Sequence, residues 1–407
     1  MTSINRRRFL LQSLAAAGVA AGGLEAVPAK KLRVAIIGCG RLGQQYTEVY
    51  RAIPGVEIMA IAEWNPERRK VVGERFGVKA LFRDADALLQ KVVPDLVSII
   101  TPTKYMKDAV IACAEAGVRG VQTDRPFAAR LSDADAMIET CKKHGTILAG
   151  GALERANWEV EEAGRKLASG GLGKRLGAAV HSYRGEICSG GTARMLVLQH
   201  FTQAKVDELI AWGSPAEKIE DSADDHGLSI NARFRMSSGL ECQVFGSESK
   251  APHFGVEVWT EDALVRWDRH GNPLTQIFRG FDARGARKEV EPNYAPWSWA
   301  KIARDMEPHL ASLGMLKSEK YYVLSPVTCI IDAVTRGIPP RIDGETQRHA
   351  LEIAIACKRS AQLGSVPLKL PLEDRSLALL PRPYRWLGGD VSGRPQSAAE
   401  AAGKKKR

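Results

Sequence analysis

The sequence predicts an α/β protein in which a doubly wound parallel sheet is followed by a second α/β domain with a large, mostly antiparallel open sheet. Three observations predict this fold class. An apolar run, Leu32–Ile37, passes directly into a glycine-rich turn and then into a helical pattern. Short apolar segments then alternate with helical patterns as far as Gly150, which is typical of parallel strands joined by helices. Further on, segments such as Leu228–Phe245 alternate apolar and polar residues, which indicates antiparallel hairpins.

The elements of the first sheet follow one another at short intervals. The predicted strands are Leu32–Ile37, Val56–Ala62, Lys79–Phe82, Asp95–Thr101, Val118–Asp124 and Thr146–Gly150. The predicted helices are one that ends near Ala52, then Pro66–Phe76, Asp84–Lys91, Lys104–Ala116 and Ser132–His144. Because the strands are apolar on both faces, helices are expected to cover both sides of the sheet.

The second domain begins where this alternation stops. Its predicted elements are helix Arg155–Ala168, strand Gly177–Arg184, hairpin Leu228–Phe245 with a turn at Ser237-Ser238-Gly239, strands Val256–Trp259 and Ala263–Asp268, and helix Glu345–Leu363. We therefore divide the chain into a leader (1–29), a first domain (30–150), a second domain (151–387) and a disordered Gly-, Ser-, Ala- and Lys-rich tail (388–407).

Composition excludes several classes of protein. The 407 residues are 44% hydrophobic and 26% charged, as in an ordinary soluble globular protein. The formal charge of +11 comes partly from the chain ends, Arg6–Arg8 and Lys404–Arg407, and no basic stripe interleaved with aromatic residues lies between them. Nucleic acid is therefore not expected as a partner. The seven cysteines have neither disulfide-framework nor metal-ligand spacing, so no metal site is predicted.

The glycine-rich turn after the first strand predicts a binding site for a dinucleotide. Gly38-Cys39-Gly40-Arg41-Leu42-Gly43 has the G-x-G-x-x-G spacing and lies between a strand and a helix, as the Rossmann fingerprint requires. A diphosphate would meet the free N–H groups at the helix N-terminus. Twenty residues after Gly43, the second strand ends in Glu63, a carboxylate placed to accept hydrogen bonds from the adenosine ribose. This favours NAD, although Arg68 and Arg69 leave NADP possible; the plainer interpretation of Glu63 is a solvated strand end.

The first 29 residues resemble a twin-arginine export signal. Arg6-Arg7-Arg8 precede Phe9 and Leu10, and the weakly apolar run Leu14–Gly23 is too short to span a bilayer. The resemblance implies a periplasmic or extracellular protein, exported already folded and carrying a tightly held cofactor. The alternative is a basic N-terminus followed by an alanine-rich tract. No later apolar run is long enough to form a stable membrane span.

Two further strand ends carry motifs of a known family. Thr101-Pro102 follows the fourth strand and Asp124-Arg125-Pro126 follows the fifth, where the family has Thr-Pro and Glu-Lys-Pro. With Gly170-Gly171-Leu172-Gly173 and the closing segment Glu345–Leu372, the chain resembles the glucose–fructose oxidoreductase / inositol dehydrogenase (Gfo/Idh/MocA) family. The resemblance implies an NAD(P)-dependent oxidoreductase acting on a secondary alcohol of a sugar, cyclitol or derivative, and a homodimer or homotetramer. The expected cofactor-binding residues are Gly38, Gly40, Arg41, Leu42, Gly43, Glu63, Thr101, Pro102, Asp124 and Arg125.

The predicted catalytic residues depart from the family pattern. Arg125 replaces the family lysine, and because a guanidinium stays protonated it can orient a hydroxyl or an acidic group but cannot shuttle protons. The family's second motif ends in a histidine. Reading forward from Gly190-Gly191 places His200 there, whereas reading backward from the segment 207–213 places Ala204 there; the two registers put His200 on the same helix face. We predict His200 as the general base and Arg125 as the group that holds the substrate. A histidine on an apolar helix is more often a structural residue, and Tyr183 and Lys205 are the other candidates for the base.

Two other functions remain open from the sequence. The first is a redox-neutral glycosidase or lyase that oxidises its substrate transiently with bound NAD. The second is a catalytically impaired binding or partner subunit, which the arginine at position 125 and the uncertain register around His200 motivate. A cluster of Asp221, Asp224, Asp225 and His226 has no metal-site spacing and is interpreted as a solvated loop.

Overall fold

The computed structural model describes residues 31–150, 155–220, 222–225, 227–246, 254–271, 273–290, 296, 298–305 and 323–387. The predicted leader, the predicted tail, Asp221 and His226 lie outside these residues. No helix in the described ranges is long and apolar enough to cross a membrane. All seven cysteines are free and buried.

The first sheet has six parallel strands in the order β3-β2-β1-β4-β5-β6. The strands are β1 (Leu32–Ile37), β2 (Val56–Ala62), β3 (Leu81–Phe82), β4 (Leu96–Ile99), β5 (Gly120–Thr123) and β6 (Ile147–Gly150). The chain reverses its direction of winding between β1 and β4, and ligands of open α/β sheets bind at the carboxyl ends of the strands beside such a reversal. This topology confirms the predicted Rossmann domain.

Five helices connect these strands: α1 (Arg41–Ala52), α2 (Pro66–Phe76), α3 (Ala85–Leu89), α4 (Met106–Glu115) and α5 (Leu131–His144). Their ends follow the residue types that the sequence offers. The side chain of Asn65 accepts a hydrogen bond from the backbone N–H of Arg68 at the start of α2, and Gly77 ends that helix in the left-handed conformation. The predicted bounds of α2 are therefore those observed.

The second domain has a ten-stranded sheet within the described residues, in the order β15-β14-β13-β12-β7-β11-β10-β9-β16, with β8 paired to β10. Its strands are β7 (Arg175–His181), β8 (Arg184–Gly185), β9 (Val206–Ser214), β10 (Leu228–Met236), β11 (Glu241–Phe245), β12 (Gly255–Thr260), β13 (Leu264–Asp268), β14 (Thr275–Phe281), β15 (Arg287–Val290) and β16 (Leu368–Lys369). All pairings are antiparallel except that of β7 with β11. The predicted fold class is thus confirmed in both domains.

Helices cover one face of this sheet. The helices after the first domain are α6 (Trp158–Ala168), α7 (Thr192–Thr202), α8 (Ala216–Ile219), α9 (Leu324–Arg336), α10 (Gly344–Gln362) and the short α11 (Pro383–Trp386). Of these, α6, α7, α8 and α10 share the buried cluster of the second sheet, whereas α9 belongs to another cluster. A π-helical turn, Ile187–Gly191, leads directly into α7. The predicted strand 177–184 is interrupted because Ser182 has a φ of 55° and breaks the extended backbone.

The later part of the chain returns to the first domain. Residues Ile302, Val327 and Ile330 are buried in one cluster with Val34 and Ile36 of β1. At the start of β5, the guanidinium of Arg119 donates to the carbonyl oxygen of Val334 at 2.6 Å. Helix α9 therefore covers one face of the parallel sheet, although the sequence analysis assigned it to the second domain.

Candidate cofactor and substrate site

The glycine-rich turn has the geometry of a dinucleotide-binding turn. Gly38 has a φ of +90°, and a Cβ on it would lie 2.5 Å from the carbonyl oxygen of Ile100. A Cβ on Gly43 would lie 2.0 Å from the carbonyl oxygen of Gly38, so α1 packs tightly on the turn. A Cβ on Gly40, in contrast, meets no protein atom within 4 Å. The turn and the helix thus need the first and third glycines for packing, while the second faces open space that a diphosphate could fill.

Glu63 is tied to this turn by its carboxylate. Oε2 accepts a hydrogen bond from the backbone N–H of Cys39 at 2.8 Å, and Oε1 accepts one from the N–H of Asn65 at 3.0 Å. The Arg68 guanidinium lies 3.4 Å from Oε1. Glu63 is only 3% exposed, so the interpretation as a solvated strand end is wrong. Its contact with a ribose stays a prediction, and any such contact must use the acceptor positions that these donors leave open.

The carboxyl ends of β4 and β5 bring the other predicted residues to the same edge of the sheet. The buried hydroxyl of Thr101 has no hydrogen-bond partner within the described residues and is available to a ligand. Pro102 precedes a 3-10 turn. Asp124 and Arg125 are half-buried just after β5.

Arg125 lines a crevice between the two domains. The crevice measures about 220 Å³ including its open mouth. Its walls come from three segments that are far apart in the sequence: Arg125 and Phe127 after β5, Thr192 and Leu196 on α7, and Gln347 and Leu351 on α10. A crevice between domains at the strand ends is where substrates of such proteins bind. Arg125 is the one charged side chain among the described residues of its wall.

His200 does not line this crevice. Its Nε2 donates to the carbonyl oxygen of Glu161 at 3.2 Å and lies 3.4 Å from the Glu161 carboxylate. The ring packs on α6 so closely that a Cβ at Gly164 would lie 1.9 Å from Nε2. Burial, and then the nearby charge of Arg155, lowers the pKa of His200 to about 4. This corrects the predicted geometry, because α7 presents Thr192 rather than His200 to the crevice; the catalytic role stays a prediction, and the geometry favours a structural histidine.

The other candidates for the base also lie in unfavourable surroundings. Tyr183 is fully buried, its hydroxyl has no hydrogen-bond partner among the described residues, and burial raises its pKa well above the ordinary value. Lys205 is exposed at the start of β9. Neither lines the crevice.

Sequence reasoning missed Gln347. It is 3% exposed, its Oε1 lies 3.5 Å from the Thr123 hydroxyl, and its amide nitrogen has no hydrogen-bond partner in the described part of the chain. A donor in this position can bind a substrate hydroxyl. No local signal marks Gln347, because it reaches the crevice only through the packing of α10 against the first domain.

The cluster of acidic residues before β10 also differs from the prediction. Asp225 is fully buried rather than solvated, and it accepts hydrogen bonds from backbone N–H groups. Within the described ranges, no group of three or more His, Cys, Asp or Glu side chains is placed to hold a metal ion.

Comparison with known proteins agrees with this geometry. The profile of the GFO_IDH_MocA family, described as an oxidoreductase family with an NAD-binding Rossmann fold, matches residues 32–151. Myo-inositol 2-dehydrogenase of Thermotoga maritima is 29% identical over 340 residues, which are 81% of this chain and 96% of that protein. The first domain of this chain is thus similar to that family's NAD-binding Rossmann domain. The match confirms the predicted cofactor class.

Other proteins resemble the first domain or most of the chain. D-apiose dehydrogenase of Paraburkholderia graminis is 34% identical over 146 residues, which are 35% of this chain and 38% of that enzyme. An oxidoreductase from Agrobacterium radiobacter, whose crystal structure contains NAD+, L-tartaric acid and magnesium, superposes with a TM-score of 0.65. It shares 19% identity over 84% of this chain and 98% of that chain, so the likeness shows the fold alone.

Proposed function

We propose that this protein is an exported, NAD-dependent oxidoreductase that transfers hydride between a tightly held nicotinamide cofactor and a secondary alcohol of a sugar, cyclitol or derivative. The observation that carries the proposal is the turn at Gly40, where open space faces the N-terminus of α1. The end-to-end match with an inositol dehydrogenase supports the substrate class.

The surroundings of Glu63 favour NAD over NADP. A 2′-phosphate needs free cationic partners, but Arg68 is held by the Glu63 carboxylate and Arg69 donates to the Glu63 carbonyl oxygen at 2.7 Å. Both arginines that left NADP possible are therefore engaged by the residue that would repel the extra phosphate.

Side chains of the crevice wall orient the substrate. Bound NAD would supply the acceptor for the hydride that leaves the carbinol carbon. Arg125 donates hydrogen bonds to the substrate oxygen or to an acidic substituent, and Gln347 offers a second donor. The hydroxyl proton needs an acceptor, and none of the six wall residues named above is a base at neutral pH.

The lack of a base among these six wall residues also fits an alternative function. A binding or partner subunit would retain NAD and a crevice while lacking a base. The redox-neutral glycosidase or lyase is the other alternative, since it would also retain its cofactor. Turnover that consumes NAD supports the dehydrogenase, turnover without net NAD reduction supports the redox-neutral enzyme, and bound NAD without turnover supports the subunit.

Export by the twin-arginine route is part of the proposal, and it rests on Arg6-Arg7 and the apolar run after them. A folded protein can carry its cofactor across the membrane, which an unfolded chain could not do. Replacing both arginines by lysine should leave the protein in the cytoplasm, as measured by cell fractionation.

We also propose a homo-oligomer. The sheet face opposite the helices exposes Trp212, Phe245 and Trp259 by 50%, 45% and 37%. Large aromatic side chains on a flat sheet face are typical of contacts between protein chains. Sedimentation of the wild type and of Trp212→Glu tests this: the wild type should sediment as a dimer or tetramer and the variant as a smaller species.

The decisive experiment is to purify the exported protein, release its cofactor by denaturation and identify it by chromatography. The native protein is then mixed with a panel of sugars and cyclitols that includes myo-inositol and D-apiose, and the absorbance of reduced nicotinamide is followed. We expect bound NAD and reduction by at least one compound. An empty protein with no affinity for any adenine dinucleotide would refute the proposal.

A further inference from the structure

Asp225 is a buried carboxylate with a defined set of partners. Oδ1 accepts the backbone N–H of Ile187 at 2.9 Å, and Oδ2 accepts the N–H of Cys188 at 2.7 Å. Its own backbone N–H donates to the carbonyl oxygen of Leu380 at 2.9 Å. One carboxylate thus binds two successive N–H groups at the start of the π-helical turn Ile187–Gly191. A carboxylate is suited to this task because each of its oxygens is an acceptor.

The turn held by Asp225 leads directly into the wall of the crevice. Gly191 is followed by Thr192, the first residue of α7, and both Thr192 and Leu196 line the crevice opposite Arg125. Tyr183 packs under the turn, since a Cβ on Gly191 would lie 2.8 Å from its ring. Any displacement of the turn therefore displaces the substrate-facing end of α7.

Burial of the Asp225 carboxyl group lowers the free energy of unfolding at neutral pH. Burial raises the pKa of Asp225 to about 8, despite the backbone hydrogen bonds that favour the ionised form. The titratable groups that face it are Cys188 and Glu186 on the turn, Tyr183 beneath it, and Lys358 on α10. The Lys358 ammonium donates to the carbonyl oxygen of Asp224 at 2.7 Å, and so its positive charge lies beside the carboxylate. A buried titratable group with a raised pKa and a specific geometric task is typical of a functional region.

We propose that Asp225 is a positioning residue: by binding the N–H groups of Ile187 and Cys188 it fixes the Ile187–Gly191 turn, and thereby sets where Thr192 and Leu196 stand against a substrate held by Arg125. This inference rests on the proposed function, because it assigns a substrate to the crevice. It predicts that Asp225 acts on substrate affinity and leaves the cofactor side unaffected, since the turn packs chiefly against α7, α10 and β8.

The first test measures directly whether Asp225 fixes the Ile187–Gly191 turn. Hydrogen–deuterium exchange is followed in the peptide spanning residues 187–196 of the intact protein. In Asp225→Asn one acceptor oxygen becomes a donor facing an N–H group, and in Asp225→Ala both acceptors are lost. We expect exchange in this peptide to become about tenfold faster in both variants, with unchanged exchange in β1 and α1. Asp207→Asn, an exposed aspartate on β9, is the matched control and should exchange as the wild type does.

The second test separates positioning from general stability. With the panel compound that gives the highest turnover, the KM for substrate should rise about tenfold in Asp225→Asn while kcat stays within about threefold and the Kd for NAD is unchanged. Should both variants fail to fold, the wild type still decides: saturating substrate must slow exchange in residues 187–196.

Five outcomes have distinct meanings. An unchanged KM despite faster exchange, or an equal loss of NAD affinity and substrate affinity, would overturn the positioning role. Rapid exchange of the Ile187 and Cys188 amides in the wild type, or exchange in residues 187–196 that substrate does not slow, would show that Asp225 does not fix the turn. An empty wild type would refute the proposed function instead, and so the two failures can be told apart.

Discussion

The cofactor side and the substrate side of the site are built from the chain in different ways. On the cofactor side, Gly38, Gly43 and Glu63 lie in consecutive elements: Gly43 packs on the backbone of Gly38, and the Glu63 carboxylate accepts the N–H of the next residue of the turn. On the substrate side, Arg125 and Gln347 line the same crevice from two domains, on segments that most of the second domain separates in the sequence. The first side needs only a strand, a turn and a helix in the correct order. The second exists only once both domains have packed.

Because the cofactor side is built from consecutive elements, one substitution in the glycine-rich turn should abolish NAD binding. A Cβ at Gly40 meets no protein atom, and its φ of −63° suits any residue. Gly40→Val should therefore fold normally but fill the space for the diphosphate, with a loss of NAD affinity of at least about a hundredfold. The cofactor content after purification and the Kd for added NAD measure this.

Two companion variants sharpen this result. In Gly171→Val, the matched control, the new Cβ would meet only Ser169 Oγ at 3.5 Å, and so cofactor content should be normal. Gly43→Ala should instead unfold the turn, because its Cβ would approach the carbonyl oxygen of Gly38 to 2.0 Å. Normal NAD content in Gly40→Val would place the diphosphate elsewhere.

The next largest effect is expected at Arg125, the one charged side chain that the described residues contribute to the crevice wall. Arg125→Met should lower kcat/KM about a hundredfold with NAD still bound, because it removes a charge-assisted hydrogen bond to the substrate. Arg125→Lys restores the family residue and should retain more activity than the methionine variant. The exposed Arg130→Met is the control. Equal activity of Arg125→Met and the wild type would remove Arg125 from the site.

A smaller effect is expected at Gln347, whose amide nitrogen has no partner in the described residues. Gln347→Leu should raise the KM for substrate about tenfold by removing a hydrogen-bond donor. Its melting temperature should not fall, since an apolar side chain of similar size replaces an unsatisfied amide. Gln362→Leu, at the far end of α10, is the control. If the KM is unchanged but stability is lost, Gln347 is a packing residue only.

The same contrast explains what the sequence could predict. The bounds of β1, β2 and α2 are those predicted, because Asn65, Pro66 and Gly77 act on neighbouring backbone. The strands β9 and β14 were not predicted, although among the described strands β14 pairs only with its sequence neighbours β13 and β15 and β9 pairs with β10 and the distant β16. Likewise Arg125 was found through a local motif, whereas Gln347 and the buried state of Asp225 depend on the packing of α10 and of the turn before α7.

His200 shows the limit of a motif without its surroundings. The register was read from Gly190-Gly191, where the π-helical turn ends, but His200 lies about two helical turns beyond Thr192 and so is near the other end of α7 from the crevice. The apolar pattern around His200 indicated a structural residue as well. The structure gives its ring a hydrogen bond and close packing on α6, which favours that interpretation.

The smallest effect on turnover is therefore expected at His200. His200→Gln should keep kcat at neutral pH within about threefold of the wild type, because an imidazole with a pKa of about 4 is a weak base and lies outside the crevice wall. Loss of turnover with normal stability and normal NAD content would instead restore His200 as the general base.

The pH dependence of stability gives an independent measure of the same residue. Burial lowers the pKa of His200 from 6.5 to about 4 in the folded protein. Between these two values the unfolded chain binds a proton that the folded chain does not, and so the free energy of unfolding falls as the pH falls through this window. The stabilisation is fully present above pH 6.5. His200→Gln lacks this titration, so its melting temperature should decrease less steeply than that of the wild type between pH 6.5 and pH 4. Parallel curves for the two proteins would mean that His200 titrates normally, and a histidine that titrates normally would have the proton affinity that the catalytic assignment requires.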